Sequence, residues 1–227
     1  MTPYEAGQKE RGSPSVNWVG DGALLFEAGV PACLESQSRI WALADRVSDW
    51  PVVREAVIGV SSLLLIVDAL AVRPDPLQSA LLEAWRDSLP RAPTGHTVEI
   101  AVTYGGEAGA DLPEVARVLG MSEREVIELH QGAEYHVFAS GSSPGFAYLG
   151  GLPPALTIPR RAVPILRAEA GSLLLGGNQT GVTANPGPTG WYVLGCTALR
   201  MFDPHACPPV QLQPGDRVVF RELERAC

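Results

Sequence analysis

The first strongly apolar run, Ala23 to Ala28, predicts a buried strand, and Ile40, Leu43, Ala44 and Val47 then recur at helical spacing. Two strand-like stretches follow, Val53 to Val60 and Ser62 to Ala69. Asp75 is placed to cap a second helix and Pro76 to open it, with Leu77, Ala80, Leu81 and Ala84 on one face. Val98, Ile100 and Val102 alternate as a fourth strand. Strand, helix, strand, strand, helix, strand is the split βαβ (ferredoxin-like) order, in which two helices cover one face of a small antiparallel sheet. Pro90 and Pro93 precede the last of these strands and read as a loop inside this domain.

Two short helices are predicted between Asp111 and His130, the first stopped by Gly120 and the second opened by Ser122 with Glu125 in a capping box. So tight a pair resembles a helix-turn-helix. Its acids, Asp111, Glu114, Glu123, Glu125 and Glu128, outnumber Arg117 and Arg124, where a DNA reader needs a basic face. Packing is therefore the preferred reading. Beyond Tyr135 the pattern changes to short strands, including Ser172 to Leu175, Trp191 to Leu194, Leu199 to Phe202 and Arg217 to Phe220, separated by Gly and Pro turns. They predict a small closed β-barrel. The expected organisation is a disordered polar leader at 1–17, an α+β domain at 18–103 and a barrel domain at 104–227.

Composition narrows the function classes. With 24 glycines and 20 prolines in 227 residues, a coiled coil or long helical bundle is excluded. Every basic residue except Lys9 is arginine, so neither a Walker-A lysine nor a Schiff-base lysine exists in the folded body. A net charge of −8 argues against a nucleic-acid backbone or an anionic membrane surface as the main partner. Cys33, Cys196, Cys207 and Cys227 form no CxxC pair, which indicates neither a metal site nor a disulfide framework. The longest strictly apolar run, Leu63 to Val67, is too short to span a bilayer, and the expectation is a cytoplasmic protein.

Three loops concentrate glycine beside polar or aromatic groups: Tyr104 to Glu107, Ser142 to Gly151 and Gly176 to Gly181. Backbone N–H groups in such loops can converge on a carboxylate, carbonyl or phosphate, although barrel corners need glycine too. Asp111 reads first as a helix cap, whereas Glu107 is equally a general base or a solvated side chain. His130 closes the second short helix, where an imidazolium suits the helix dipole, and acid/base work competes evenly with that role. Gln179 and Thr180 carry uncharged donors and acceptors suited to an amide or lactam. Ser142 and Ser143 lack the Gly-x-Ser-x-Gly elbow of a serine hydrolase.

Taken in order, Tyr104-Gly105-Gly106-Glu107, Asp111 to Ala116, Leu129-His130, Pro144 to Leu152, Gly177 to Gly181, Gly190-Trp191, Phe202-Asp203-Pro204 and Leu212 to Val218 resemble the B-subunit family of 5-oxoprolinase. That family is also called allophanate hydrolase subunit 1 and includes the kinase inhibitor KipI. The resemblance spans about Asp21 to Phe220. It implies an N-terminal split βαβ domain and a C-terminal cyclophilin-like β-barrel. It also implies ATP-dependent opening of 5-oxo-L-proline to L-glutamate together with the C and A subunits of 5-oxoprolinase as partners, with the small-molecule substrate at the shared interface and no metal or prosthetic group. Two other activities are compatible with it: inhibition of a sensor histidine kinase, and half of a biotin-dependent carboxyltransferase like that of urea carboxylase. The candidate catalytic residues are Tyr104, Glu107 and His130, with proton transfer given to Glu107 or His130. Phe146 and Tyr148 are expected to wall the pocket, and Gln179 and Thr180 with the Gly176-Gly177 backbone to orient the substrate. The family's Gly-Phe-x-Pro-Gly-Phe run reads here as Gly141 to Phe146, and Cys196 stands where the family commonly has arginine, a change that removes a potential carboxylate clamp.

Overall fold

A computed structural model describes residues 12–223, and the chain divides between Ala92 and Pro93 into two units. In the first, β1 (Ser15–Trp18), β2 (Ala23–Glu27), α1 (Leu34–Ser48), β3 (Val53–Gly59), β4 (Ser62–Val67) and α2 (Pro74–Asp87) follow one another. The sheet order is β1-β2-β4-β3, antiparallel throughout. Period-two burial along β2 and β4 turns Leu24, Phe26, Leu63 and Leu65 to one face, where Ile40, Leu43 and Val47 of α1 and Leu77, Leu81 and Trp85 of α2 cover them. Each such Leu or Phe contributes roughly 1.5–3 kcal/mol by leaving water. The N-terminus of α1 is closed by a Cys33–Ser36 capping box. Helix α2 begins at Pro74, ahead of the expected Asp75 cap, because Pro74 and Pro76 both fit a first turn whose N–H groups need no helical partner.

Two expectations are corrected here. The strand read at Val98–Val102 as the fourth member of this sheet belongs to the second unit, so the division precedes the expected 103/104 boundary. Alternation reports that a strand has one buried face and says nothing about which sheet it joins. The edge beside β2 is taken by β1, whose residues 15–17 fall in the stretch read as a disordered leader. Residues 1–11 of that leader lie outside the described residues.

The second unit runs β5 (Thr97–Tyr104), α3 (Leu112–Leu119), α4 (Glu123–Gln131), β6 (Tyr135–Ser140), β7 (Ala147–Gly150), β8 (Ile165–Ala168), β9 (Ser172–Gly176), β10 (Gln179–Val182), β11 (Gly187–Thr189), β12 (Tyr192–Cys196) and β13 (Arg217–Glu222). Seven strands close a barrel in the order β10-β7-β6-β13-β5-β12-β9, while β8 and β11 pair separately. β5 runs parallel to β13, with Ile100 opposite Phe220, and buries Ile100, Val102 and Tyr104 in the barrel core. The helices match the expectation: α3 ends at Gly120 in a left-handed conformation, and Ser122 and Glu125 form the capping box of α4. Their apolar faces, including Val115, Ala116, Val126 and Ile127, pack into the same core. Among the described residues no helix is long and apolar enough to cross a membrane.

Candidate functional site

Three aromatic side chains of the barrel unit meet at near right angles. Phe146 and Tyr148 have ring centroids 5.0 Å apart, and Trp191 lies 6.0 and 6.2 Å from them. Edge-to-face packing of this kind favours a fixed wall. The glycine-rich loops seat it. A Cβ on Gly176 would meet the Trp191 ring at 2.6 Å, and one on Gly181 would meet Phe146 at 3.0 Å. Gly145, at a φ of +83°, completes the turn that delivers Phe146. The wall bounds a cavity of about 490 Å³, whose other sides are lined by residues that include Ser142, Ser143, Thr183, Asn185 and Thr189. Among the described residues Arg160 is the one charged side chain lining it, its guanidinium 5.5 Å from the centre of the Trp191 ring.

Because Gly176 makes room for Trp191, Gly176→Ala should overpack the wall. A cost of about 1–3 kcal/mol is expected, read as a melting temperature lower by roughly 2–10 °C. An unchanged melting temperature would show that Trp191 is not held against β9.

His130 lies elsewhere. It is fully buried in the barrel core, with ring centroids 4.8 Å from Phe220 and 5.2 Å from Tyr135. Its Nδ1 is 2.9 Å from the Tyr104 hydroxyl and its Nε2 is 3.0 Å from the Thr180 hydroxyl, which itself donates to the Leu174 carbonyl at 2.8 Å. That last bond fixes the protons. Thr180 has only one to give, so Nε2–H donates to Thr180, and the neutral ring accepts the Tyr104 proton at Nδ1. Burial favours the neutral form and lowers the imidazole pKa to about 3, and it raises the Tyr104 phenol above the usual tyrosine range, with the Glu222 charge adding to that shift.

The expected site residues therefore separate. Phe146 and Tyr148 line the cavity, and Gly176 leaves room for the Trp191 ring. Gly177 opens the β9–β10 turn at a φ of +63° with no heavy atom near a would-be Cβ. Gln179 pairs across from Gly176 and buries its amide nitrogen without a hydrogen-bond partner among the described residues. Thr180 is fully buried on the His130 chain, outside the cavity lining. Glu107 is exposed on a short 3-10 turn, Gly106–Gly109, outside the cavity lining. Asp111 makes no side-chain cap, since its carboxylate accepts from Arg161 and the Val193 N–H instead. Arg160 and Trp191 are among the lining residues missing from the expected site. Trp191 stands beside a glycine in the ordered motifs, but nothing local marks Arg160. Cys196 lies on β12 opposite Thr103 and Ser172, outside the cavity lining. Among the described residues no group of three or more His, Cys, Asp or Glu side chains is placed to hold a metal ion.

Residues 14–212 match the family described as carboxyltransferase domain, subdomain C and D. A protein of Escherichia coli O157:H7, named as the B-subunit of 5-oxoprolinase, is 43% identical over 206 residues, covering 89% of this chain and 93% of that one. The crystal structure of TTHA0988 is similar at 35% identity and a TM-score of 0.75, and covers 90% of this chain. This chain spans only 40% of the TTHA0988 chain. The urea carboxylase of Kluyveromyces lactis shares the fold, with a TM-score of 0.75 at 18% identity, over 93% of this chain and 22% of that one.

Proposed function

From the premise that the chain belongs to the carboxyltransferase subdomain C and D family, the family of the 5-oxoprolinase B-subunit, we propose that it is that component of an ATP-dependent 5-oxoprolinase. The enzyme breaks the lactam C–N bond of 5-oxo-L-proline with addition of water, giving L-glutamate. The observation that carries this reading is Arg160, the one charged residue lining the cavity among the described residues. A five-membered lactam is flat and apolar at its ring carbons, polar at its amide and anionic at its carboxylate. Phe146, Tyr148 and Trp191 offer ring faces, Ser142, Ser143 and Asn185 offer amide partners, and Arg160 offers a guanidinium for the carboxylate. In a chain of net charge −8, the one charge lining this cavity among the described residues is positive.

The cavity is larger than the lactam, which leaves room for groups supplied by the C and A subunits at a shared interface. Nucleotide is assigned to those partners, since the only lysine is Lys9 and no P-loop sequence is present. Of the expected catalytic set, Glu107 is the exposed member and the one available to a site completed by a partner. His130 and Tyr104 support the barrel instead. The test is co-expression with the A and C subunits, followed by ATP-dependent glutamate release from 5-oxo-L-proline. Turnover by the assembled complex, and none by this chain alone, is expected. A complex that assembles without turning over this substrate would overturn the assignment.

A further inference from the structure

Arg160 has no ion pair among the described residues to hold it in the cavity, yet its neighbour is tightly held. The segment 158–161 is bound at both ends: Ile158 exchanges backbone hydrogen bonds with Gly177, and the Arg161 N–H donates to the Gly190 carbonyl at 2.8 Å. Arg160 reaches Trp191, while the Arg161 guanidinium lies 5.0 Å from the Tyr192 ring centre and donates to Asp111 Oδ1 at 2.7 Å. The other carboxylate oxygen of Asp111 accepts the Val193 N–H at 2.8 Å, and the Asp111 N–H returns a bond to the Val193 carbonyl. Asp111 and Arg161 are largely buried, at 16% and 22% side-chain exposure, and among the described residues Glu114 Oε2 is the only other carboxylate oxygen near the guanidinium, at 4.0 Å.

We propose that Asp111 and Arg161 form a strut that positions Arg160 over Trp191, and so set the affinity of the pocket for the substrate carboxylate without touching substrate. The carboxylate ties the tip of Arg161 to Val193 of β12, two residues after Trp191, and the backbone of Arg161 is tied to Gly190 immediately before it. The span from Arg160 to the ring it covers is thereby braced on both sides. This inference rests on reading the cavity as the 5-oxoproline site.

The experiment compares Asp111→Asn, Arg160→Gln and the double variant in the assembled enzyme, with KM for 5-oxo-L-proline and kcat read separately. Asp111→Asn should raise KM about 3–10-fold with kcat within about twofold, because it loosens Arg160 and leaves the reacting bond alone. In the Arg160→Gln background the same change should have no further effect on KM. Equal KM factors in both backgrounds would overturn the strut, as that is what a general structural loss produces. Arg161→Lys, which keeps the charge but loses the planar fork, should give an intermediate KM. An NMR arm separates the two readings. The Arg160 Nε–H resonance should carry a ring-current shift from Trp191 that disappears in Asp111→Asn. Loss of that shift with KM unmoved in every variant would sustain the strut and reject the cavity as the 5-oxoproline site. Persistence of the shift would overturn the strut itself.

Discussion

Replacing His130 with alanine is expected to cost about 3–5 kcal/mol, the scale of aromatic-to-alanine truncations in packed cores. Its ring is fully buried among Tyr104, Tyr135 and Phe220, and both nitrogens are hydrogen-bonded. Truncation opens a void and removes both bonds at once. Since a domain has only about 5–15 kcal/mol in hand, the variant could unfold outright, so His130→Phe is the companion. Phenylalanine refills the volume and forfeits only the polar pairing, for about 1–3 kcal/mol. Denaturant unfolding of both variants checks the ranking, and an alanine variant within about 1 kcal/mol of the parent would remove His130 from the core. The assembled enzyme carrying His130→Phe should still turn over. A kcat lower by orders of magnitude at unchanged stability would return His130 to proton transfer.

The same residue gives a pH dependence whose sign follows from burial. The folded imidazole titrates at about 3, against 6.5 when solvated, so above pH 6.5 neither state binds the proton and this group has no effect. Below pH 6.5 the unfolded chain takes up a proton that the folded one refuses. Stability then falls by roughly 1.4 kcal/mol per pH unit, until the folded group itself titrates at about pH 3. Carboxylates titrate in the lower part of that window as well. The informative quantity is therefore the difference between the parent and His130→Phe, which should shrink below pH 6.5 and change sign before about pH 3, because the loss across that window exceeds the cost assigned to His130→Phe.

These contrasts show what local pattern can and cannot carry. α1 and the capping box of α4 follow from spacing and caps a few residues apart, and those parts of the fold are legible in sequence. β5 is legible as a strand but not as a barrel strand, because its partner β13 lies at the far end of the chain. β1 is four residues long, with Val16 and Trp18 only partly buried, too weak an alternation to stand out from a polar leader. For the site, the glycines at 176 and 181 stand out in sequence, but their use is to seat Trp191 and Phe146, a contact that only the folded barrel makes. His130 looks equally fit for capping and for catalysis because its partners are 26 and 50 residues away. Arg160 carries no signal at all, since its meaning depends on a cavity assembled from separate loops.

That cavity yields the largest expected effect on activity. Arg160→Gln should raise KM for 5-oxo-L-proline about 10–100-fold, while kcat changes little. A charge-assisted hydrogen bond contributes about 1.5–3 kcal/mol, and every ~1.4 kcal/mol is a factor of ten in affinity. The carboxylate of 5-oxoproline is remote from the lactam bond that breaks and keeps its charge throughout, so its pairing stabilises ground and transition states alike, which is the signature of a KM effect. Arg160→Lys should recover only part of the loss, because an ammonium keeps the charge but not the bidentate fork or the stacking on Trp191. The substrate amide of 5-oxoproline, which lacks the anion, serves as the control: its binding should be weak in the parent and nearly indifferent to Arg160→Gln. Equal sensitivity of acid and amide to the substitution would place the guanidinium in the packing of the wall and not on the carboxylate. A KM for 5-oxo-L-proline unchanged by the substitution would move the substrate out of this cavity altogether, and with it the roles assigned to Phe146, Tyr148 and Trp191.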